Sequence, residues 1–263
     1  MNDLPLAQSG RSALEVATQA AEEAGEILLA HFCSKKEIKY KGKSNLVTEA
    51  DILSEKTILE FLESEYPDCN ILSEESNSSA PTTGYTWIVD PLDGTNNYVY
   101  GVPFFCINIA LAKDEDVLLG ITHDPVREEL FRAEKGKGAY LNDSAIQVSK
   151  EGSLGTSLVG LDLGYSAEQS KKMLDIATRL WSQVHCLRVM GSASLSLAYV
   201  ACGRVSLYLH RYLYPWDIAS GLLLIREAGG KVTDWQRKPA SCQTKEIIAS
   251  NDRLHQEFMA YLG

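Results

Sequence analysis

No apolar run in this 263-residue chain approaches the roughly 18 residues that a membrane-spanning helix needs, so no membrane partner is expected. The opening stretch, MNDLPLAQSGRSALEV, has no basic segment followed by an apolar one, and no secretory leader is legible in it. Basic charge is scarce. Against 35 Asp and Glu stand 25 Lys and Arg, a formal net charge of -10. A phosphate backbone calls for a basic face, so nucleic acid is not expected as the main partner. Paired cysteines are missing too: Cys33, Cys69, Cys106, Cys186, Cys202 and Cys242 are scattered, with no CxxC spacing. That spacing suits neither zinc nor a disulfide framework, and it fits a reduced, cytoplasmic protein with small core cysteines. Five dispersed histidines leave no base for a Ser or Cys nucleophile. Repeats, low-complexity tracts and a D-x-D-x-D-G calcium loop are also absent.

What is present reads as layered α and β structure. Hydrophobic residues at 45% suffice for a sizeable core. Leu14, Ala17, Ala21, Ala24, Ile27, Leu28 and Phe32 form a helical stripe over 12–33, and a second helix is expected from Ala50 or Asp51 to Tyr66, stopped by Pro67. Between them, KEIKYKGKSN reads as a basic hairpin. NILSEES, TWIVD, FFCINIALA, VLLGITHD and ELFRAEKG then read as an antiparallel meander, closed by two short strands around Asn142-Asp143. Beyond residue 150, strands alternate with helices at 167–182, after GSAS, from Asp217 to Ala228, and at the C-terminus. The texture predicts two linked subdomains: residues 1–150, and residues 151–263 of α/β type.

Acids mark the places where apolar strands end. Glu74-Glu75 follows NIL, Asp90 and Asp93 stand in DPLDGTNNY after TWIV, Asp217 stands in PWDIASGLLLIREAGG, and Asp51 in LVTEAD. Each has an ordinary explanation alone: Asp217 as a helix N-cap, Asp93 in an Asx turn, Glu74 and Glu75 as loop acids. Gathered together, they would repel unless a cation sat among them. Oxygen ligands without Cys or His suit hard ions such as Mg2+ or Mn2+. Pro91 restrains the backbone so that Asp90 and Asp93 face one point, and the Leu92 carbonyl is free to add an oxygen. Gly94 and Thr95 can offer N–H groups to phosphate oxygens at a helical turn. Acids that bind cations, beside such a turn, point to phosphoryl chemistry.

WIVDPLDGTNNY resembles the first signature of the inositol monophosphatase family, and PWDIASGLLLIREAGG resembles the second, in the expected order. LSEES, LVTEAD, GKGAYLN and MGSASLSLAYVACG match intermediate elements, so the resemblance runs from about residue 12 to 260. It implies an α+β fold, a layered αβαβα sandwich of the inositol monophosphatase and fructose-1,6-bisphosphatase type. It also implies Mg2+-dependent, Li+-sensitive hydrolysis of a small phosphate monoester, with two or three ions, commonly in a homodimer. By the same resemblance, Glu74, Asp90 and the Leu92 carbonyl hold a first ion, and Asp90, Asp93 and Asp217 a second. The 1–150 segment then supplies most metal ligands, and the 151–263 segment supplies Asp217 and the substrate side. Glu75 supports its loop, Gly94 and Thr95 receive the phosphate, and Asp93 also faces a substrate hydroxyl. Asp51 orients Thr95, and Glu74 with Thr95 orients the attacking water and takes its proton.

Two departures bear on the substrate. Animal members of the family carry an acid seven positions before the second-signature Asp, where this chain has His210, followed by Arg211. A neutral or positive group there weakens strict inositol selectivity and could favour a second phosphate or a nucleotide; equally, His210 and Arg211 could simply end a strand. Asn96 replaces a commoner small or hydroxyl residue. Gly191 and Ala193, in the GSAS segment, are expected to border the sugar or polyol. The leading expectation is an inositol-phosphate phosphatase. A 3′(2′),5′-bisphosphate nucleotidase, a fructose-1,6-bisphosphatase or an NADP phosphatase are rivals on the same scaffold, and a regulatory protein that keeps the fold is a rival of another class.

Overall fold

A computed structural model describes residues 4–32, 38–40, 46–76, 79 and 83–262. Cys33, most of the expected basic hairpin and most of the loop after Glu75 lie outside the described residues. Helix α1 (Ala13–Phe32), the antiparallel ribbon β1 (Ile38–Tyr40) and β2 (Leu46–Thr48), and α2 (Glu49–Glu65) come first. Seven strands follow: β3 (Asn70–Ser73), β4 (Tyr85–Asp93), β5 (Cys106–Lys113), β6 (Asp116–Asp124), β7 (Glu129–Glu134), β8 (Ala139–Leu141) and β9 (Ser144–Ala145). A five-residue helix, α3 (Thr95–Val99), separates β4 from β5. The remainder alternates: β10 (Leu158–Leu161), α4 (Ala167–Leu180), β11 (Cys186–Val189), α5 (Ala193–Ala201), β12 (Leu207–Arg211) and α6 (Pro215–Glu227). The chain closes with β13 (Lys231–Thr233), β14 (Glu246–Ser250) and α7 (Asp252–Leu262).

Side-chain alternation along the strands builds the layers. On β5, Ile107, Ile109 and Leu111 join Trp87 and Val89 of β4 beneath α1 and α2. From the opposite face, Cys106, Ala110 and Ala112 meet α5 and α6 with Ile88. Helix α6 is buried from Ile218 through Ile225, as a helix sandwiched between two sheets must be. A five-stranded sheet, in the order β11-β10-β12-β14-β13, lies beyond it, and its outer face is covered by α4 and α7 through Met173, Leu209, Ile248 and Phe258. The order is αβαβα, as the resemblance implied. Strands of the seven-stranded sheet end at Ala145 and those of the second begin at Leu158, yet α5 and α6 bury side chains against both sheets.

The meander is not antiparallel throughout. β3 pairs parallel with β4 at the sheet edge, Ile71 opposite Trp87. Alternation records which face a residue takes and not the direction of the strand, and the long connection after β3 returns the chain to start β4 at the same end. α6 approaches β6 closely because Gly120 has no side chain: a Cβ there would lie 2.8 Å from the Ser220 Cα.

Candidate active site

Residues three apart in an unbroken strand point to opposite faces. Asp90 and Asp93 escape that rule because Pro91 has no N–H for the ladder, and the β4–β5 register shifts between them. The Leu92 N–H donates to Asp90 Oδ1 at 3.0 Å, and Ser54 Oγ donates to the Pro91 carbonyl at 2.8 Å, which fixes the bulge. Both carboxylates thus meet the central helical layer.

Asp217 reaches them from α6, although not as the N-cap expected from sequence. Pro215 starts the helix two residues earlier, Tyr214 is the N-cap, and Asp217 turns back so that its Oδ2 accepts from the Tyr214 N–H at 2.7 Å. One oxygen from each of Asp90, Asp93 and Asp217 lies within 4.8 Å of the others. Burial, then the neighbouring acids, hold Asp90 and Asp217 well above the usual carboxylate range. Burial also raises Asp93, against the Ser192 hydroxyl and the first N–H groups of α5. Glu74 lines the same small cavity with Thr95, Leu92 and Tyr165, and no Lys or Arg is among the described residues around it. A buried, oxygen-only donor set without a cationic side chain fits a hard divalent ion.

Behind this cluster, Gly94 caps α3 with φ 94°, and a Cβ there would press 3.0 Å from the Phe104 carbonyl. Thr95 Oγ1 lies 3.1 Å from the Leu92 carbonyl and 3.3 Å from Asp51 Oδ1. Asp51 is buried at the third position of α2, where its Oδ2 accepts from the Thr48 N–H at 2.8 Å and from the Thr48 hydroxyl. Burial pushes its carboxyl up to about 6. Glu75 sits in the turn after β3, and buried Glu55 accepts from the Glu75 and Ser76 N–H groups at 3.0 and 3.2 Å. Glu55 was not legible as a support from sequence; it fills a helical position like any surface acid.

A second cavity of about 240 Å³ adjoins the first, sharing Asp93 and Asp217. Gly191, Ala193 and His210 line it. Burial lowers the His210 imidazole to about 4, so it is neutral at pH 7, and its buried Nδ1 has no partner among the described residues. Arg211 does not belong to this wall. Strand alternation turns it to the other face of β12, where it pairs with Glu246 at 2.7 Å and stacks over Trp235 at 4.1 Å. The second-phosphate role considered for it is therefore corrected. Sequence reading missed Asp162 and Ser192 as parts of the site. Asp162 follows the apolar run LVGL just as Asp90 follows TWIV, which was the available signal.

The profile of the inositol monophosphatase family matches residues 10–262. "Inositol monophosphatase 2" of Solanum lycopersicum is 38% identical over 260 residues, covering 95% of this chain and 97% of the relative. "Fructose-1,6-bisphosphatase/inositol-1-monophosphatase" of Thermotoga maritima is 35% identical, covering 93% of each. The crystal structure of extragenic suppressor protein suhB from Bartonella henselae superposes with a TM-score of 0.89 at 33% identity, over 96% of this chain and 98% of that one. The chain belongs to the inositol monophosphatase family.

Proposed function

We propose that this protein hydrolyses small phosphate monoesters in a Mg2+-dependent reaction, with Mn2+ as a substitute ion and inositol monophosphate as the leading substrate. The observation that carries the reading is the convergence of Asp90, Asp93 and Asp217 oxygens within 4.8 Å, in a cavity without a cationic side chain among the described residues. Asp90, Asp93, Asp217, Glu74 and the Leu92 carbonyl would hold the ions. Mg2+ held there supplies positive charge for the phosphate oxygens and makes water easier to deprotonate. Li+ inhibition and a homodimer belong to the same proposal.

The chain's own groups do the rest. Gly94 and Thr95 line the cavity at the first turn of α3, where helix geometry leaves N–H groups without intrahelical acceptors, and these receive phosphate oxygens. Glu74 and Thr95 Oγ1 orient the attacking water. Its proton passes to Glu74 or through Thr95 toward Asp51, whose carboxyl, raised to about 6, is a better proton acceptor than an ordinary aspartate while still ionised at pH 7. The alcohol half of the ester occupies the adjoining cavity beside Gly191, Ala193 and His210.

A bisphosphate substrate is the second reading, and the double name of the Thermotoga relative favours it. The deciding experiment measures kcat/KM for inositol 1-phosphate, fructose 1,6-bisphosphate, adenosine 3′,5′-bisphosphate and NADP+, with Mg2+ and with a chelator. Inositol 1-phosphate is expected to lead, and every activity is expected to vanish with the chelator. No turnover of any ester with Mg2+ would return the chain to a regulatory role.

A further inference from the structure

We infer that Asp162 is a positioning residue for Asp93, acting through the turn that joins β11 to α5. The inference rests on the reading of the acid cluster as a cation site. Asp162 follows the end of β10, is buried, and lines the cavity next to that cluster. Its Oδ1 accepts from the Gly191 N–H at 2.6 Å and the Met190 N–H at 3.0 Å, and its Oδ2 accepts from the Tyr208 hydroxyl at 2.6 Å. The three donors satisfy a buried carboxylate, and two of them tie the Met190–Gly191 turn to the end of β10.

The turn they hold is pinned from its other side as well. Asn97 Nδ2 donates to the Met190 carbonyl at 3.0 Å and to the Phe104 carbonyl at 2.8 Å. Gly191 has φ 83°, and a Cβ on it would sit 2.8 Å from Asn97 Nδ2, so the turn packs directly on the segment that follows Gly94. The next residues grip Asp93: the Ser192 hydroxyl donates to Asp93 Oδ2 at 2.5 Å, and the Ser194 N–H donates to the same oxygen at 2.7 Å. With one carboxylate oxygen committed to the start of α5, the placement of the turn decides where the other one lies. Asp162 sets that placement. An unbroken run of hydrogen bonds and chain, Tyr208 to Asp162 to the 190–194 turn to Asp93, links the wall of the alcohol-side cavity with an acid of the cluster.

Outer partners that orient a ligand in this way are worth about 10–100-fold in metal affinity. The test is calorimetric titration of Mg2+ into the wild-type protein, Asp162→Ala, Asp162→Asn and Tyr208→Phe, with melting temperatures recorded alongside. About a tenfold rise in the Mg2+ Kd is expected for Asp162→Ala. Asp162→Asn, which keeps an acceptor for the two N–H groups, is expected to fall between it and the wild type, with Tyr208→Phe nearest the wild type. If Asp162→Ala does not fold, Asp162→Asn carries the measurement. Melting temperatures that drop while the Mg2+ Kd of the folded variants stays within twofold of wild type would reduce Asp162 to a structural residue and overturn the inference. A wild-type protein that takes up no Mg2+ would instead bring down the cation reading, and this inference with it.

Discussion

The side-chain amide of Asn108 donates to the Trp216 carbonyl, so the β5 position directly opposite Asp90 holds the first turn of the helix that carries Asp217. Thr122, next in the same row on β6, donates to Asn108 Oδ1 at 2.9 Å and sits 2.9 Å from the Ser220 hydroxyl on α6. The row is fully buried in an otherwise apolar interface. Such a network is tolerated because every member has a partner.

Asn108→Ala therefore leaves the Trp216 carbonyl and the Thr122 hydroxyl short of a partner. A loss of about 2–3 kcal/mol is expected from denaturant unfolding, with weaker Mg2+ activation because α6 is no longer tied opposite Asp90. An unchanged Mg2+ dependence would show that α6 finds its place without this row.

Asp90→Asn and Asp217→Asn should each lower kcat/KM by at least about 100-fold. Without added metal, their melting temperatures should equal or exceed the wild-type value, since a neutral amide removes repulsion among buried acids. Mg2+ should raise the wild-type melting temperature by preferential binding to the folded state, and this rise should shrink in both variants. A variant that turns over like wild type would break the assignment.

Thr95→Ala and Asp51→Asn test the proton route. Each is expected to cost about 100-fold in kcat with a much smaller change in KM, because the lost group handles a proton and not the alcohol half of the ester. A KM effect larger than the kcat effect would argue that Thr95 serves binding alone.

Arg211→Ala separates the structural finding from the expectation read off the sequence. Its guanidinium is spent on Glu246 and Trp235, a partly exposed pair and a ring contact together worth about 1 kcal/mol. Stability should fall by that order while KM for a monophosphate stays within twofold. A several-fold rise in KM for bisphosphates would restore its role at the substrate.

His255 gives a pH prediction with a defined sign. It is buried between Thr233 Oγ1 at 2.9 Å and Ser250 Oγ at 3.2 Å, and burial lowers it from 6.5 to about 4. The unfolded chain takes the proton below 6.5 and the folded one only near 4, so the stability this group contributes above 6.5 is lost as pH falls through that window. Asp51 and Asp162, raised by burial to about 6, act in the opposite sense: the folded state keeps their protons longer, and their contribution is lost as pH rises from about 4 to 6. The comparison must be wild type minus His255→Gln across pH 7 to 4.5. The variant should show the shallower acid loss, and parallel curves would refute the buried neutral histidine.

Much of the fold was legible because it depends on local periodicity. The α1 stripe, the stop at Pro67, the Ser192 start of α5 and the strand texture from residue 70 all follow from spacing and breakers. Direction was not: β3 looks the same parallel or antiparallel. Nor was the start of α6, where Asp217 makes as good an N-cap in sequence as it makes a third residue reaching back to Tyr214. Arg211 and His210 are neighbours in the chain, and only the pleat of β12 sends one to the cavity and the other to Trp235.

The sequence by itself determined which chemistry is on offer: acids at the ends of apolar segments, a Pro-kinked pair, and a glycine turn beside them, since residue types and short spacings set donor atoms and local turns. The tertiary structure alone decided that segments more than a hundred residues apart bring Asp90, Asp93 and Asp217 to one point, and that Asp162 steadies the turn gripping one of them. The reason is physical. Where those oxygens end up depends on how α6 seats on the sheet through Gly120, Asn108 and Trp216, and such contacts between remote segments leave no periodic trace in the chain.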